Sequence, residues 1–157
     1  MMLRTLLVLA ALAGWPLAAP AQLPSPPPQS GPVPIPPAPK GTVPWELLQK
    51  AQTVQKADKK FGPQFTAEIR ALDKRDVRLF GFMMPLDQSR KQKRFLLAAY
   101  PPHCAFCLPS GPESLVEVIA ETPIEFTFEP IVVSGRLAVL DDDIVFYRLT
   151  RATAVAR

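Results

Sequence analysis

Val77-Arg78-Leu79-Phe80-Gly81-Phe82-Met83-Met84-Pro85 and Ile131-Val132-Val133-Ser134-Gly135-Arg136-Leu137-Ala138-Val139 decide the fold. Both runs are rich in branched and aromatic residues, which fit a pleated, half-buried surface better than a helix. Each carries a glycine near its middle, which weakens a flat strand but permits a bulge or a sharp bend. Three further runs share the pattern: Arg94–Tyr100, Leu115–Ala120 and Ile144–Thr150. Between them lie a polar turn at Asp87–Lys93, a connection around Glu121–Pro130 and the acidic turn Asp141-Asp142-Asp143. Five short strands, two of them built to curve, predict a mainly β domain. The expected architecture is a small five-stranded OB-like barrel, closed or partly closed, with an open β-sandwich as the alternative. No internal repeat is present.

Upstream of the first strand, Phe65–Leu72 reads as a linking segment with room for one helical turn. Before it, the sequence predicts an N-terminal helix. Pro44 suits a first turn, Glu46 complements the positive end of the dipole, and Trp45, Leu47, Leu48, Ala51 and Val54 form an apolar stripe. Lys56, Lys59 and Lys60 gather toward its other end, and Gly62-Pro63 stops it. Glu46, Asp58 and Glu68 break up the lysines, so a solvated helix face is favoured over a nucleic-acid patch. The formal net charge of +4 includes Arg4, which belongs to a leader.

That leader is legible. A short positive start through Arg4 precedes an apolar run from Thr5 to Ala18, too short to span a bilayer comfortably. Ala19-Pro20-Ala21 supplies the small-x-small pattern of a signal-peptidase site, so residues 1–21 are expected to be a signal peptide cleaved after Ala21. No cysteine near the cleavage point offers a lipid anchor, and no transmembrane segment is expected in the mature chain. The expected location is the periplasm, an oxidising compartment. Ten of the 22 residues from Leu23 to Pro44 are proline. Residues 22–44 therefore read as a Pro-rich disordered linker, extended and polyproline-like, serving as a stalk more readily than as a PxxP ligand. Residues 45–157 are left as a single β-rich domain, large enough for one core.

A set of ordered motifs adds a family resemblance. Phe65–Asp73, then Val77–Asp87 with Gly81-Phe82-Met83-Met84-Pro85-Leu86, Phe95-Leu96-Leu97, Cys104-x-x-Cys107-x-Pro109-x-Gly111-Pro112, Val116-Glu117-Val118, Val133-x-Gly135-Arg136-Leu137 and Tyr147-Arg148-Leu149-x-x-Ala152 follow one another. Together they resemble the bacterial family called domain of unknown function 3299, over about Trp45 to Ala154. The resemblance implies an exported or lipoprotein-type protein, often encoded beside ABC-transporter components and in some cases within zinc-responsive gene clusters. It implies no established catalytic activity. This chain departs from the family pattern at Ser110 and at Lys74, where glycines are usual. Other members keep a cysteine like Cys104 but replace the second one.

The chemistry of the chain is concentrated in His103-Cys104-Ala105-Phe106-Cys107-Leu108-Pro109-Ser110-Gly111-Pro112, which holds its one histidine and both cysteines. An exported protein with two cysteines favours a disulfide between Cys104 and Cys107. A loop this small gains little chain entropy from the bridge, well below the ~3 kcal/mol of a 15-residue loop. It would stiffen the passage from the second strand to the third, with Pro109, Gly111 and Pro112 as structural loop residues. Metal binding is the second reading. Two thiolates at C-x-x-C spacing reach one ion at ~2.3 Å, and His103 adds a nitrogen. Zinc lacks a fourth ligand here, whereas copper(I) tolerates two or three soft ligands, with Met83 or Met84 as thioether donors if they are not simply core residues. Thiol–disulfide exchange is the third: no helix N-terminus follows to lower a thiol pKa, and haem attachment is excluded by Leu108.

Other constellations carry less. Asp141-Asp142-Asp143 lacks the spaced oxygens and glycine of a calcium loop, which favours a solvated hairpin turn. Phosphate loops and nucleophile elbows are absent from the sequence. Tyr100, Phe106, Phe80, Phe82 and Tyr147 are the aromatics a base-stacking face would use, but export makes nucleic acid an unsuitable partner. The sequence therefore favours a non-enzymatic periplasmic accessory protein supporting an envelope transport or zinc/copper homeostasis system, with ABC-transporter components as expected partners. A thiol-disulfide oxidoreductase using Cys104 and Cys107, and a pure interaction module with a structural disulfide, remain the alternatives.

Overall fold

The computed structural model describes residues 35–57, 59–102 and 111–155. Five strands, β3 (Asp76–Pro85), β4 (Lys91–Ala98), β5 (Leu115–Glu125), β6 (Ile131–Val139) and β7 (Tyr147–Val155), close into a barrel in the order β3-β4-β5-β7-β6. Every neighbouring pair is antiparallel except β5 and β7, which run parallel. This is the closed OB-like barrel expected from the two glycine-centred runs, and the open sandwich is excluded.

The two glycines act by close approach. A Cβ at Gly81 would stand 2.5 Å from the Ala98 carbonyl oxygen, and one at Gly135 would stand 2.8 Å from that of Thr150. Any side chain would push the neighbouring strand away, so these positions let five strands curl tightly enough to close. Alternation then sends Leu79, Met83, Phe95, Leu97, Val116, Val118, Val133, Leu137 and Leu149 into one core. The interior is filled by side chains, as a barrel of this size requires. Met84, Ala98 and Leu115 form a second, smaller buried cluster with Leu96 packed against it.

Two single-turn helices contribute to the core: α1 (Trp45–Leu48) through Leu48 and α2 (Ala67–Arg70) through Ile69, both fully buried. Thr66 caps α2 by accepting from the Ile69 N–H at 3.3 Å, as its residue type favours. Trp45 donates from its indole N–H to the Phe80 carbonyl at 2.6 Å, and the Tyr147 hydroxyl donates to the Leu48 carbonyl at 2.7 Å. The last part of the Pro-rich stretch, residues 35–44, turns at Lys40 and Gly41, and the Val43 N–H donates to the Arg78 carbonyl at 2.8 Å.

The predicted N-terminal helix is corrected. It ends at Leu48, and the residues expected to prolong it form a hairpin of β1 (Gln52–Gln55) and β2 (Phe61–Gln64). Trp45, Leu48 and Ala51 satisfy a helical stripe, but Thr53 and Val54 prefer an extended backbone, and pairing with β2 decides between the two. The turn is made by Lys59 at φ 64, with the Lys56 N–H donating to the Lys60 carbonyl at 2.8 Å. The lysines thus sit on a hairpin, not on a helix face, and Gly62-Pro63 lies within β2 instead of stopping a helix. Three strand boundaries also move. The second predicted strand begins earlier, at Lys91, and ends at Ala98. The third continues to Glu125 through residues expected to form a connection, because Lys91 and Gln92 pair with Glu125 and Ile124. The last begins at Tyr147 and reaches Val155, following its antiparallel partner β6 as far as Val132.

Candidate functional site

His103, Cys104, Cys107 and Pro109 lie outside the described residues, but both anchors of their segment are defined. Ala98 and Leu115 are register partners, so the cysteine-bearing stretch joins two adjacent antiparallel strands. At its exit, Gly111 precedes a single 3-10 turn, Pro112–Ser114, whose closing bond runs from the Ser114 N–H to the Gly111 carbonyl at 3.0 Å. The Ala99 N–H donates to the Ser114 carbonyl at 3.1 Å. Gln49, just after α1, donates from its side-chain amide to Ser114 Oγ at 2.9 Å and to the Tyr100 hydroxyl at 3.3 Å. Gly111 thus caps the 3-10 turn that Pro112 opens.

Beside this exit opens a groove of about 570 Å³. Its walls come from three parts of the chain: the β1–β2 hairpin (Lys56, Phe61, Pro63), the β6–β7 loop (Asp141–Ile144 and Phe146) and Pro112. Phe61 is 73% exposed and Ile144 is 92% exposed, while Phe146 is buried and packs edge-on to Phe65 at 5.8 Å between ring centroids. Two large apolar side chains turned to solvent beside one groove form a contact surface, whereas isolated exposed apolar residues would need no explanation.

Basic partners surround the acidic triplet. Arg70 grips Asp141 through both terminal nitrogens, one of them at 2.8 Å from Oδ2. Lys56 donates to the Asp141 carbonyl at 2.8 Å and reaches Asp142 at 3.2 Å. Asp143 accepts from the Ile144 N–H at 2.7 Å and from Arg148 at 2.8 Å. The Arg70 hydrogen bond holds the Asp141 carboxyl below the usual carboxylate range, and the backbone bond from Ile144, helped by Arg148, does the same for Asp143. The triplet is a cross-linked turn. Its oxygens are spent on cations the protein already owns, which agrees with reading it as a turn and not as a calcium loop.

Arg148 links this turn to the barrel wall. Glu117 on β5 is almost fully buried, accepts from Arg94 Nε at 2.5 Å, and also accepts from Arg148 Nε. Burial pulls its pKa upward, but the two guanidinium hydrogen bonds hold it below the usual glutamate range. Glu117 thereby ties β4, β5 and β7 together across the one parallel seam. Met83 and Met84, raised as thioether donors, are both buried, Met83 in the main core and Met84 in the second cluster. Among the described residues, no group of three His, Cys, Asp or Glu side chains could hold a metal.

The groove was not visible in the sequence. Its walls are separated by up to about 90 residues, and nothing in a Phe or an Ile says that it will face solvent. Glu117 carried a fainter signal, as the one charged residue inside the apolar run Leu115–Ala120. A glutamate in such a place calls for a cationic partner, because an unpaired buried charge is costly.

The closed five-stranded barrel defines the class of fold, a small β-barrel domain. The family model described as "Protein of unknown function (DUF3299)" matches residues 35–148, and the chain belongs to that family. Among solved structures, it is similar to a DUF3299 family protein from Pseudomonas aeruginosa PAO1, at 22% identity and a TM-score of 0.49, covering 60% of this chain and 68% of that one. None of the curated proteins matches.

Proposed function

We propose that this is an exported, non-enzymatic accessory protein of the periplasm, carried on the Pro-rich residues 22–44 after cleavage behind Ala21. It supports an envelope transport or metal-homeostasis system by presenting the groove and the neighbouring cysteine segment to a component of that system, an ABC-transporter subunit being the expected one. The observation that carries this reading is the groove itself. Its large side chains, Phe61 and Ile144, face solvent, while two of its carboxylates, Asp141 and Asp143, are already paired with Arg70 and Arg148. Such a surface suits contact better than acid–base catalysis, which needs a group poised to give or take a proton.

The test combines fractionation with a surface variant. A tagged full-length chain should be recovered from the periplasm without residues 1–21 and should co-purify with ABC-transporter components of the same cell. The pair Phe61→Ser and Ile144→Ser, both on exposed side chains, should abolish that recovery without lowering thermal stability. Recovery in the cytoplasm with the leader intact, or equal co-purification by the variant, refutes the proposal. Native mass spectrometry of the same sample separates the roles of Cys104 and Cys107. A mass two hydrogens low means a disulfide, and an added zinc or copper mass means a metal site that includes them, with His103 as third ligand.

A further inference from the structure

On the flank of the barrel, β7 carries an unusual residue. Arg151 has φ 50, in the left-handed region that L side chains rarely adopt. The pairing explains how it is held there. Against β5 the register passes from Val118↔Leu149 to Ala120↔Ala152, and against β6 from Arg136↔Thr150 to Ser134↔Thr153. On both sides, two residues of β7 stand opposite one residue of its neighbour. The strand is bulged toward both partners at once, and Arg151 is the residue common to the two bulges. Burial follows the extra residue: Leu149 and Ala152 are buried, while Thr150 is half-buried and Arg151 exposed between them.

A glycine would make this bulge without strain, as glycine does wherever a left-handed backbone is needed. The chain places an arginine there instead, and the strain is retained together with a long cationic side chain. Strained positions of this kind cluster where a side chain must be aimed at something. Arg151 is aimed at a pocket of about 280 Å³ lined by Asp76, Glu121, Ser134, Arg136, Arg151 and Thr153. Arg136 makes no ion pair among the described residues, and the hydroxyls of Ser134 and Thr153 make no hydrogen bond among them. Asp76 lies 3.6 Å from Arg151, beyond hydrogen-bonding distance, and both side chains are mostly exposed. Such a pair is weak and exchanges readily with a competing anion.

We propose that this pocket binds an oxyanion, a phosphate or carboxylate group, between the guanidinium groups of Arg136 and Arg151, with the hydroxyls of Ser134 and Thr153 as additional donors. Arginine presents its donors as a planar fork that matches such groups in bidentate fashion. Asp76 and Glu121 offset the two cations, which selects a ligand with one anionic group over a polyanion. The proposal is independent of the accessory role, since none of the pocket's residues lines the groove.

The experiment follows thermal unfolding of the mature chain in inorganic phosphate, in acetate, and in sodium chloride of equal ionic strength. At about five times its Kd, a bound anion should raise Tm by about 4 °C over chloride. A response to phosphate identifies a phosphoryl ligand and a response to acetate a carboxylate; either supports the proposal, and a response to neither overturns it. Two variants separate site from scaffold. Arg151→Gly should raise Tm in chloride by releasing the strain and should lose the anion-induced shift. Arg136→Gln leaves the bulge intact, so it should keep the chloride Tm and lose the same shift. An anion response that survives both substitutions, or a lower chloride Tm in Arg151→Gly, overturns the assignment.

Discussion

Glu117→Gln tests whether the buried carboxylate joins the barrel as a charge or merely as a hydrogen-bonding shape. Glutamine keeps the size and one acceptor oxygen but removes the negative charge facing Arg94 and Arg148. Hydrogen bonds to charged groups contribute about 1.5–3 kcal/mol each in favourable settings. Arg94 is 66% exposed and Arg148 29% exposed, so water screens the first bond much more than the second. The expected loss is about 2 kcal/mol at neutral pH, most of it from the Arg148 side. Because Glu117 has a folded-state pKa held below its unfolded value, its contribution is complete above the ordinary glutamate value of 4.5. It is lost as pH falls from there through the depressed folded pKa. The gap between wild type and Glu117→Gln in urea denaturation should therefore be about 2 kcal/mol at pH 7 and should shrink progressively as the pH falls below the ordinary glutamate range. Asp143 titrates in both proteins, so its own contribution largely cancels in the difference. A gap under about 0.5 kcal/mol at pH 7, or one that persists unchanged into acid, would refute the charge-based account.

Lys74 sits at φ 58, in the left-handed region, where its N–H donates to the Leu137 carbonyl at 2.7 Å. Lys74→Gly should remove about 1–2 kcal/mol of backbone strain against about 0.5–1 kcal/mol of added chain entropy, for a net gain of about 0.5 kcal/mol. Lys74→Val should lose at least about 1 kcal/mol, and equal denaturation midpoints for the two variants would contradict the strain argument. Tyr147→Phe removes one of the two hydrogen bonds to the buried Leu48 carbonyl, which keeps the bond from the Ala51 N–H at 3.1 Å, and should cost about 1 kcal/mol. Amide hydrogen exchange should quicken in Trp45–Leu48 more than in β6, and a uniform change across the domain would argue against a local anchor.

The barrel was legible because its strands, and the glycines within them, are marked by short-range sequence pattern even though the glycines act on neighbouring strands. Gly81 and Gly135 each interrupt a run of strand-forming residues, and an interrupted run can only bend. The β1–β2 hairpin was not legible, because Trp45, Leu48 and Ala51 obey helical spacing whichever way the chain continues after Leu48. What turns the chain back is the left-handed Lys59, and lysine is not a residue that announces such a turn. The last strand was misplaced for a related reason. Ile144-Val145 has the composition of a strand, but its position beside the cross-linked Asp141–Asp143 turn leaves Ile144 in solvent.

The positive-φ residues Lys74 and Arg151 show why sites are harder to read than folds. At Lys74 the backbone bond to Leu137 demands the conformation, and the side chain is incidental, so a glycine would serve there. At Arg151 the double bulge demands the conformation, yet the side chain gives the pocket one of its two cations. A sequence shows an arginine in a Thr-Arg-Ala-Thr run in either case. Only the register on both sides of β7 shows that this arginine is the extra residue. The same holds for the groove, where Phe61 of the separate β1–β2 sheet meets Ile144 and Pro112. In a small barrel the strands are specified by short-range pattern, while the surfaces that can bind anything are made by tertiary contacts between distant segments.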